Sequence, residues 1–71
     1  MKVNVYFENT EMGAYTCYVE EDIPLFALFG YGNTPEDAKK DMLEAYNEIT
    51  KILQSKGEKP AELDFIFHYP V

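Results

Sequence analysis

The strongest local signal in the sequence is one long amphipathic helix with a defined start. Thr34 is a typical N-cap, Pro35 suits the first helical position, and Asp37 stands where an acid completes a capping box. Gly57 suits the position just beyond the last turn. The pattern predicts a helix over residues 35–56. Its apolar positions share one face: Ala38, Met42, Ala45, Tyr46, Ile49, Ile52 and Leu53.

Four further runs have the character of strands. Lys2 to Glu8, Ala14 to Val19 and Leu63 to Tyr69 alternate between apolar and polar residues, whereas Leu25 to Tyr31 is apolar on both sides. The order predicts a single α+β domain over residues 1–71, β-β-β-α-β, with a four-stranded sheet and one helix on one face. We expect the helix to pack on the apolar strand positions Val3, Val5, Phe7, Cys17, Val19, Phe65 and Phe67.

One helix can cover only one face of such a sheet. The alternation places Asn4, Tyr6, Thr16, Tyr18, Ile66 and His68 on the opposite face, joined by Ala27, Phe29 and Tyr31 if the third strand has that phase. Contiguous aromatic and apolar side chains on a surface are typical of interaction sites. We therefore interpret six residues as partner-binding: Tyr6, Tyr18, Phe29, Tyr31, Ile66 and His68. A solvated face and homodimer packing are the alternatives.

The charge balance narrows the class of partner. Thirteen acidic residues face six basic ones, all lysines, for a formal net charge of −7. Phosphate contacts require Lys and Arg, so this balance argues against direct binding of nucleic acid. An acidic field instead attracts a basic protein, although the charge could serve solubility alone.

Few residues have the chemistry of a catalytic or metal site. Cys17 lies in mid-strand like a small hydrophobe, and His68 has no nucleophile placed beside it. These two are the only soft metal ligands and are far apart in sequence, while the acids at residues 20–22 predict a solvated loop. We expect a protein that is not an enzyme and holds no cofactor or metal.

Two observations concern the compartment. No apolar run approaches the length of a membrane span, and Lys2 leads directly into a strand pattern instead of a secretory apolar block. A single cysteine allows no internal disulfide. We therefore expect a cytoplasmic protein without membrane contact.

Residues 32–38, Gly-Asn-Thr-Pro-Glu-Asp-Ala, resemble the helix opening of the HicB family, the antitoxins of HicA–HicB toxin–antitoxin systems. The hairpin turn at residues 11–13, the strand segment at 15–17 and the turn at 21–24 are similar as well, so the resemblance extends over essentially the whole chain. It implies a truncated ribonuclease-H-like fold and an antitoxin that blocks the active site of a small basic, RNA-cleaving, HicA-like toxin. The DNA-binding domain common in the family is not expected within residues 1–71.

Two other functions stay open under this resemblance. The chain could be a stand-alone homo-oligomeric domain that binds another protein or a peptide, and we expect homo-oligomers in either case. A metal-dependent nuclease is the other alternative. It would need several carboxylates around its metal ions, and the strands offer only Glu8 and Asp64.

Overall fold

The computed structural model describes residues 1–70 and contains four strands and one helix in the predicted order. They are β1 (Lys2–Asn9), β2 (Tyr15–Val19), β3 (Phe29–Gly32), α1 (Pro35–Ser55) and β4 (Asp64–His68). The predicted α+β class and element order are confirmed. The ribonuclease-H-like label stays a prediction.

The sheet is mixed, with the strand order β3-β2-β1-β4. β1 and β3 are both antiparallel to β2, whereas β4 is parallel to β1. β3 and β4 are therefore parallel and lie at opposite edges of the sheet. Parallel strands need a crossover connection, and α1 provides it. The β1–β2 turn is closed by hydrogen bonds from Thr10 N–H to the Ala14 carbonyl at 2.8 Å and from Gly13 N–H to the Thr10 carbonyl at 3.0 Å.

The third strand is shorter than predicted. The expectation was Leu25 to Tyr31, but β3 begins at Phe29 and extends to Gly32. Leu25 has a φ of +77°, which places it in a turn after Pro24 and interrupts an extended strand. The apolar residues between turn and strand serve the core instead: Leu28 is buried, and the Phe26 ring lies 6.2 Å from that of Tyr46. Ala27 consequently lies outside the strand and is not a member of a sheet face.

Local signals define both ends of α1, as the sequence predicts. The Asp37 N–H donates to Thr34 Oγ1 at 3.1 Å, which satisfies one of the free donors of the first turn. At the other end Gly57 has a φ of +82°, and the Glu58 N–H donates to the Leu53 carbonyl at 2.9 Å. This is the Schellman arrangement, in which glycine reverses the chain after the last turn.

The core forms where the first half of α1 presses against β3 and β2. Gly30 and Gly32 face the helix, and neither position has room for a side chain. A Cβ at Gly30 would clash with the Ala38 carbonyl oxygen and lie 2.6 Å from the Cys17 sulfur; one at Gly32 would lie 2.5 Å from Asp37 Cβ. Helix and strand backbones can therefore approach closely, and the fully buried cluster at this contact comprises Val5, Cys17, Leu28, Ala38 and Met42.

Farther from this contact the packing is looser. Ala45, Tyr46 and Ile49 are half-buried against the core, together with the strand residues Phe7, Val19, Phe65 and Phe67. Ile52 was expected in the core but is 54% exposed. A helix of 21 residues is about 31 Å long, so its final turns extend past the sheet that its first half covers.

Substitution of Gly30 by alanine tests the close approach of helix and strand. The added Cβ would displace the Ala38 backbone, and we expect a loss of about 1–3 kcal/mol in the free energy of unfolding. The measurement is urea denaturation followed by circular dichroism. Asn33→Ala, at an exposed position before the helix, is the control and should leave the midpoint nearly unchanged. Equal midpoints for both variants would contradict the packing described here.

Substitution of Thr34 tests the helix cap. Thr34→Ala removes the oxygen that accepts the Asp37 N–H and should cost about 1 kcal/mol of stability. Thr34→Ser keeps the hydroxyl and should restore most of that loss. Thermal denaturation of the three proteins compares them directly, and a serine variant as unstable as the alanine variant would rule out capping as the cause.

Candidate functional site

The sheet face opposite α1 carries the residues that the alternation assigned to it. Val3, Val5 and Cys17 are fully buried on the helix side, so their neighbours along β1 and β2 point away from the helix. On β3 the helix side is occupied by Gly30 and Gly32. The open face, as we call it, therefore comprises the following strand residues: Lys2, Asn4, Tyr6, Glu8, Thr16, Tyr18, Phe29, Tyr31, Asp64, Ile66 and His68.

Strand register aligns four of these side chains in one row across the whole sheet. Tyr6 pairs with Tyr18 on β2 and with His68 on β4, and Tyr18 pairs with Phe29 on β3. The Tyr6 ring stacks on the His68 imidazole, with centroids 4.6 Å apart and planes inclined by 9°. The Tyr6 and Tyr18 rings lie 6.1 Å apart. The row brings together four rings from four strands, which sequence spacing alone does not reveal.

The outer members of the open face are the most exposed. Phe29 is 69% exposed, Tyr31 58% and Ile66 42%, whereas Tyr6 and Tyr18 are half-buried by their neighbours in the row. The six residues predicted to bind a partner thus lie on one face. Their role in binding stays a prediction.

A hydrogen-bonded chain fixes one end of the row. The Glu21 carboxylate accepts the Asn4 backbone N–H and side-chain amide, each at 2.7 Å. Because the Asn4 amide nitrogen donates to Glu21, Asn4 Oδ1 is an acceptor, and His68 Nε2–H donates to it at 2.8 Å. The Asn4 backbone bond, and then the amide bond, lower the pKa of Glu21 below its usual range despite some desolvation. The carboxylate is therefore charged at neutral pH, and the imidazole is held in one orientation.

Acidic groups also surround the centre of the row. Desolvation, followed by the nearby Glu20 carboxylate, raises the pKa of Tyr6 above its ordinary value. The phenol is therefore neutral at physiological pH and remains a hydrogen-bond donor. The open face consequently combines the neutral Tyr6 ring with fixed negative charge nearby, a combination suited to a cationic partner.

The outer edge of the sheet at β3 is partly blocked. The Tyr31 N–H donates to an Asp41 carboxylate oxygen at 3.0 Å, from the second turn of α1. An edge strand recruits another strand through its free N–H and C=O groups, and a carboxylate in that position opposes pairing. This geometry disfavours the addition of another strand at the β3 edge.

Within residues 1–70, Cys17 and the other potential metal ligands are not grouped into a metal site. The Cys17 thiol is buried and donates to the Ala38 carbonyl at 3.3 Å, so it does not reach the open face. Across residues 1–70, no three His, Cys, Asp or Glu side chains are grouped so that they could hold a metal ion. In the same part of the chain no helix is both long and apolar enough to cross a membrane.

Sequence reasoning missed two carboxylates that shape the site. Glu21 was interpreted as part of a solvated loop, but it bonds to Asn4 and ends the β1–β2 pairing. Asp41 was not singled out, although it caps an N–H of β3. Neither contact leaves a local pattern in the sequence, because each joins segments that are at least ten residues apart.

Comparison of the chain with family models, curated proteins and solved structures gave no significant match. The resemblance to the HicB family therefore rests on the sequence motifs alone and stays a prediction.

The environment of Cys17 allows a prediction of how fast its thiol is alkylated and how the stability of the protein changes with pH. Burial, and secondarily the Asp41 charge, raise the pKa of the Cys17 thiol to about 11. The native protein should therefore resist alkylation by iodoacetamide at pH 8.5 and react fully in urea, since the thiolate is the nucleophile. Unfolded Cys17 loses its proton near pH 9.0, so Cys17 should lower stability as pH rises from 9.0 towards 11.

Mass spectrometry measures the alkylated fraction. A Cys17→Ala variant is the control for the pH dependence, because its stability should fall less steeply over that interval. Rapid alkylation of the folded protein would contradict the buried position.

Proposed function

We propose that this chain is a protein-binding module that captures a small basic protein on its open face, in the manner of a HicB-like antitoxin that neutralises an RNA-cleaving toxin. The row of His68, Tyr6, Tyr18 and Phe29 across all four strands carries the proposal. Side chains of this kind supply most of the energy in protein interfaces, because they bury large areas with few rotatable bonds.

The restraints on these side chains support binding. His68 is held by Asn4 and by stacking on Tyr6, so two of the four rings are ordered before any partner arrives. Pre-ordered side chains lose less conformational entropy on association, and that difference favours tighter binding. The exposed Phe29 at one end of the row, and Ile66 beside the row on β4, would contribute the apolar area that association removes from water.

Charge supports a basic partner. The formal net charge is −7, and Glu8, Glu20, Glu21 and Asp64 lie on or beside the open face, where Lys2 supplies an opposing positive charge. An excess of negative charge speeds association with a positively charged protein and opposes association of two copies of this chain. A toxin that cleaves RNA needs cationic groups at its active site, so a surface with these charges would cover that site and exclude RNA.

The same geometry supports binding rather than catalysis. The Cys17 thiol is buried on the helix side of the sheet. The His68 imidazole on the open face is hydrogen-bonded to the Asn4 amide and not to a nucleophile. A general base needs the proton of a nucleophile within hydrogen-bond reach, and the hydrogen bond that His68 makes in residues 1–70 is to the Asn4 amide oxygen.

A double substitution on the row tests the proposal. Tyr6→Ser with Tyr18→Ser should leave the domain folded, because both residues face away from the buried core. It should weaken binding to the basic protein encoded by the adjacent reading frame by on the order of tenfold or more. Calorimetric titration measures the affinity, and inhibition of RNA cleavage by that protein measures neutralisation. Tyr69→Ser, an exposed tyrosine next to Phe7 on the helix side, is the matched control and should bind normally.

A salt series distinguishes the two kinds of partner. Added salt should slow association with a basic protein, because it screens the attraction between opposite charges. Self-association of this acidic chain should instead strengthen with salt, as light scattering on the pure protein would show. Unchanged affinity in the double variant, or a neighbouring product that is neither basic nor bound, would refute the antitoxin proposal.

A further inference from the structure

Beside the aromatic row the open face has a depression of about 380 Å³ at the β3 end of the sheet. Thr16 is among the residues that line it. The register places Glu8 opposite Thr16 on one side and Tyr31 opposite it on the other, while Tyr18 and Phe29 stand next to it in the adjacent row. A small side chain between larger neighbours about 5–7 Å away leaves a hollow, since sheet side chains stand roughly perpendicular to the strands.

The walls of this hollow have a specific chemistry. Its lining includes three aromatic residues and two acids, together with Thr16, Cys17 and Gly30: the aromatic residues are Tyr18, Phe29 and Tyr31, and the acids are Glu8 and Asp41. The Asp41 carboxylate uses one oxygen for the Tyr31 N–H, which fixes its position and leaves the other oxygen as an acceptor. Aromatic faces and carboxylates both attract cations, and several rings around one point are the typical recognition site for an organic cation.

We infer that this hollow, the Thr16 pocket, binds an arginine side chain of the basic partner. The inference rests on the proposed function and assigns the residue type that the partner inserts. A guanidinium is planar and weakly hydrated, so it can stack on Tyr31 or Phe29 while its N–H groups donate to Glu8 or to Asp41. A lysine ammonium would meet the same charges but lacks the planar group that stacks on a ring.

The probe is a peptide with one arginine, acetyl-Gly-Arg-Gly-amide, titrated into ¹⁵N-labelled protein and followed by NMR. Saturable shifts should appear at the backbone amides of Thr16, Tyr18, Phe29 and Tyr31. The peptide with citrulline has the same shape without the charge and should cause no saturable shift. The lysine peptide should bind more weakly than the arginine peptide. Equal effects of all three peptides, or equal shifts at the exposed acids of α1, would overturn the assignment.

Two variants separate the pocket from the rest of the open face. Glu8→Gln should weaken arginine-peptide binding about three- to fivefold, as loss of one partly screened carboxylate implies. Thr16→Leu fills the hollow and should reduce binding on the order of tenfold. Glu48→Gln removes the same charge at an exposed position on α1 and should have no effect. Because Thr16 and Glu8 lie outside the buried core, the NMR spectra should show both variants folded.

The same variants distinguish failure of this inference from failure of the proposed function. If Tyr6→Ser with Tyr18→Ser abolishes partner binding while Glu8→Gln and Thr16→Leu do not weaken it, the open face binds but the Thr16 pocket is wrong. If none of these variants changes partner binding, both are wrong. If Thr16→Leu loses affinity for both the arginine peptide and the partner, the result supports the Thr16 pocket and the proposed function together.

Discussion

The structure depends on the direct contact between the first half of α1 and β3. Gly30 and Gly32 leave no side chain between the two backbones, and a single methyl group at Gly30 would clash with the Ala38 carbonyl. That carbonyl also accepts the Cys17 thiol, so helix, β3 and β2 meet at one buried point. Close packing of this kind tolerates little change in volume, because neighbouring backbone cannot move aside cheaply. It fixes both the position and the depth of the helix.

This placement decides what covers the remainder of the helix-side surface. Since α1 lies mainly on β3 and β2, the helix side of β1 and β4 is covered by side chains. The Phe7 ring stacks on Tyr69 with centroids 5.1 Å apart, and Lys39 Nζ lies 4.8 Å from the centre of the Phe67 ring. The Tyr69 hydroxyl raises the pKa of Lys39, which stays charged above these rings. Tyr46 then joins the helix to the segment before β4, as its hydroxyl donates to the Ala61 carbonyl at 3.3 Å.

The open face exists because residues 1–70 contain a single helix to cover a four-stranded sheet. One helix covers one side, so the alternate side chains of all four strands meet solvent or a partner. The face is neither plainly apolar nor plainly polar. Its rings form a row, its charged groups stand beside that row, and the bonds among Asn4, Glu21 and His68 hold one end in place. A patterned surface of this kind provides specificity through charge and affinity through rings, which is the division of roles we propose for the partner site.

The sequence by itself determined the order of the elements and, for β1, β2 and β4, the side of the sheet on which each strand residue lies. Thr34 capping, Gly57 termination and the period-two alternation are local effects, so they are visible in neighbouring residues. Only the tertiary structure decided the start of β3 at Phe29, since Leu25 turns the chain and Leu28 enters the core. It also decided strand order and register, which align distant rings in one row and enclose the Thr16 pocket. These depend on where the helix packs, and contacts between distant segments carry no periodic signal in the chain.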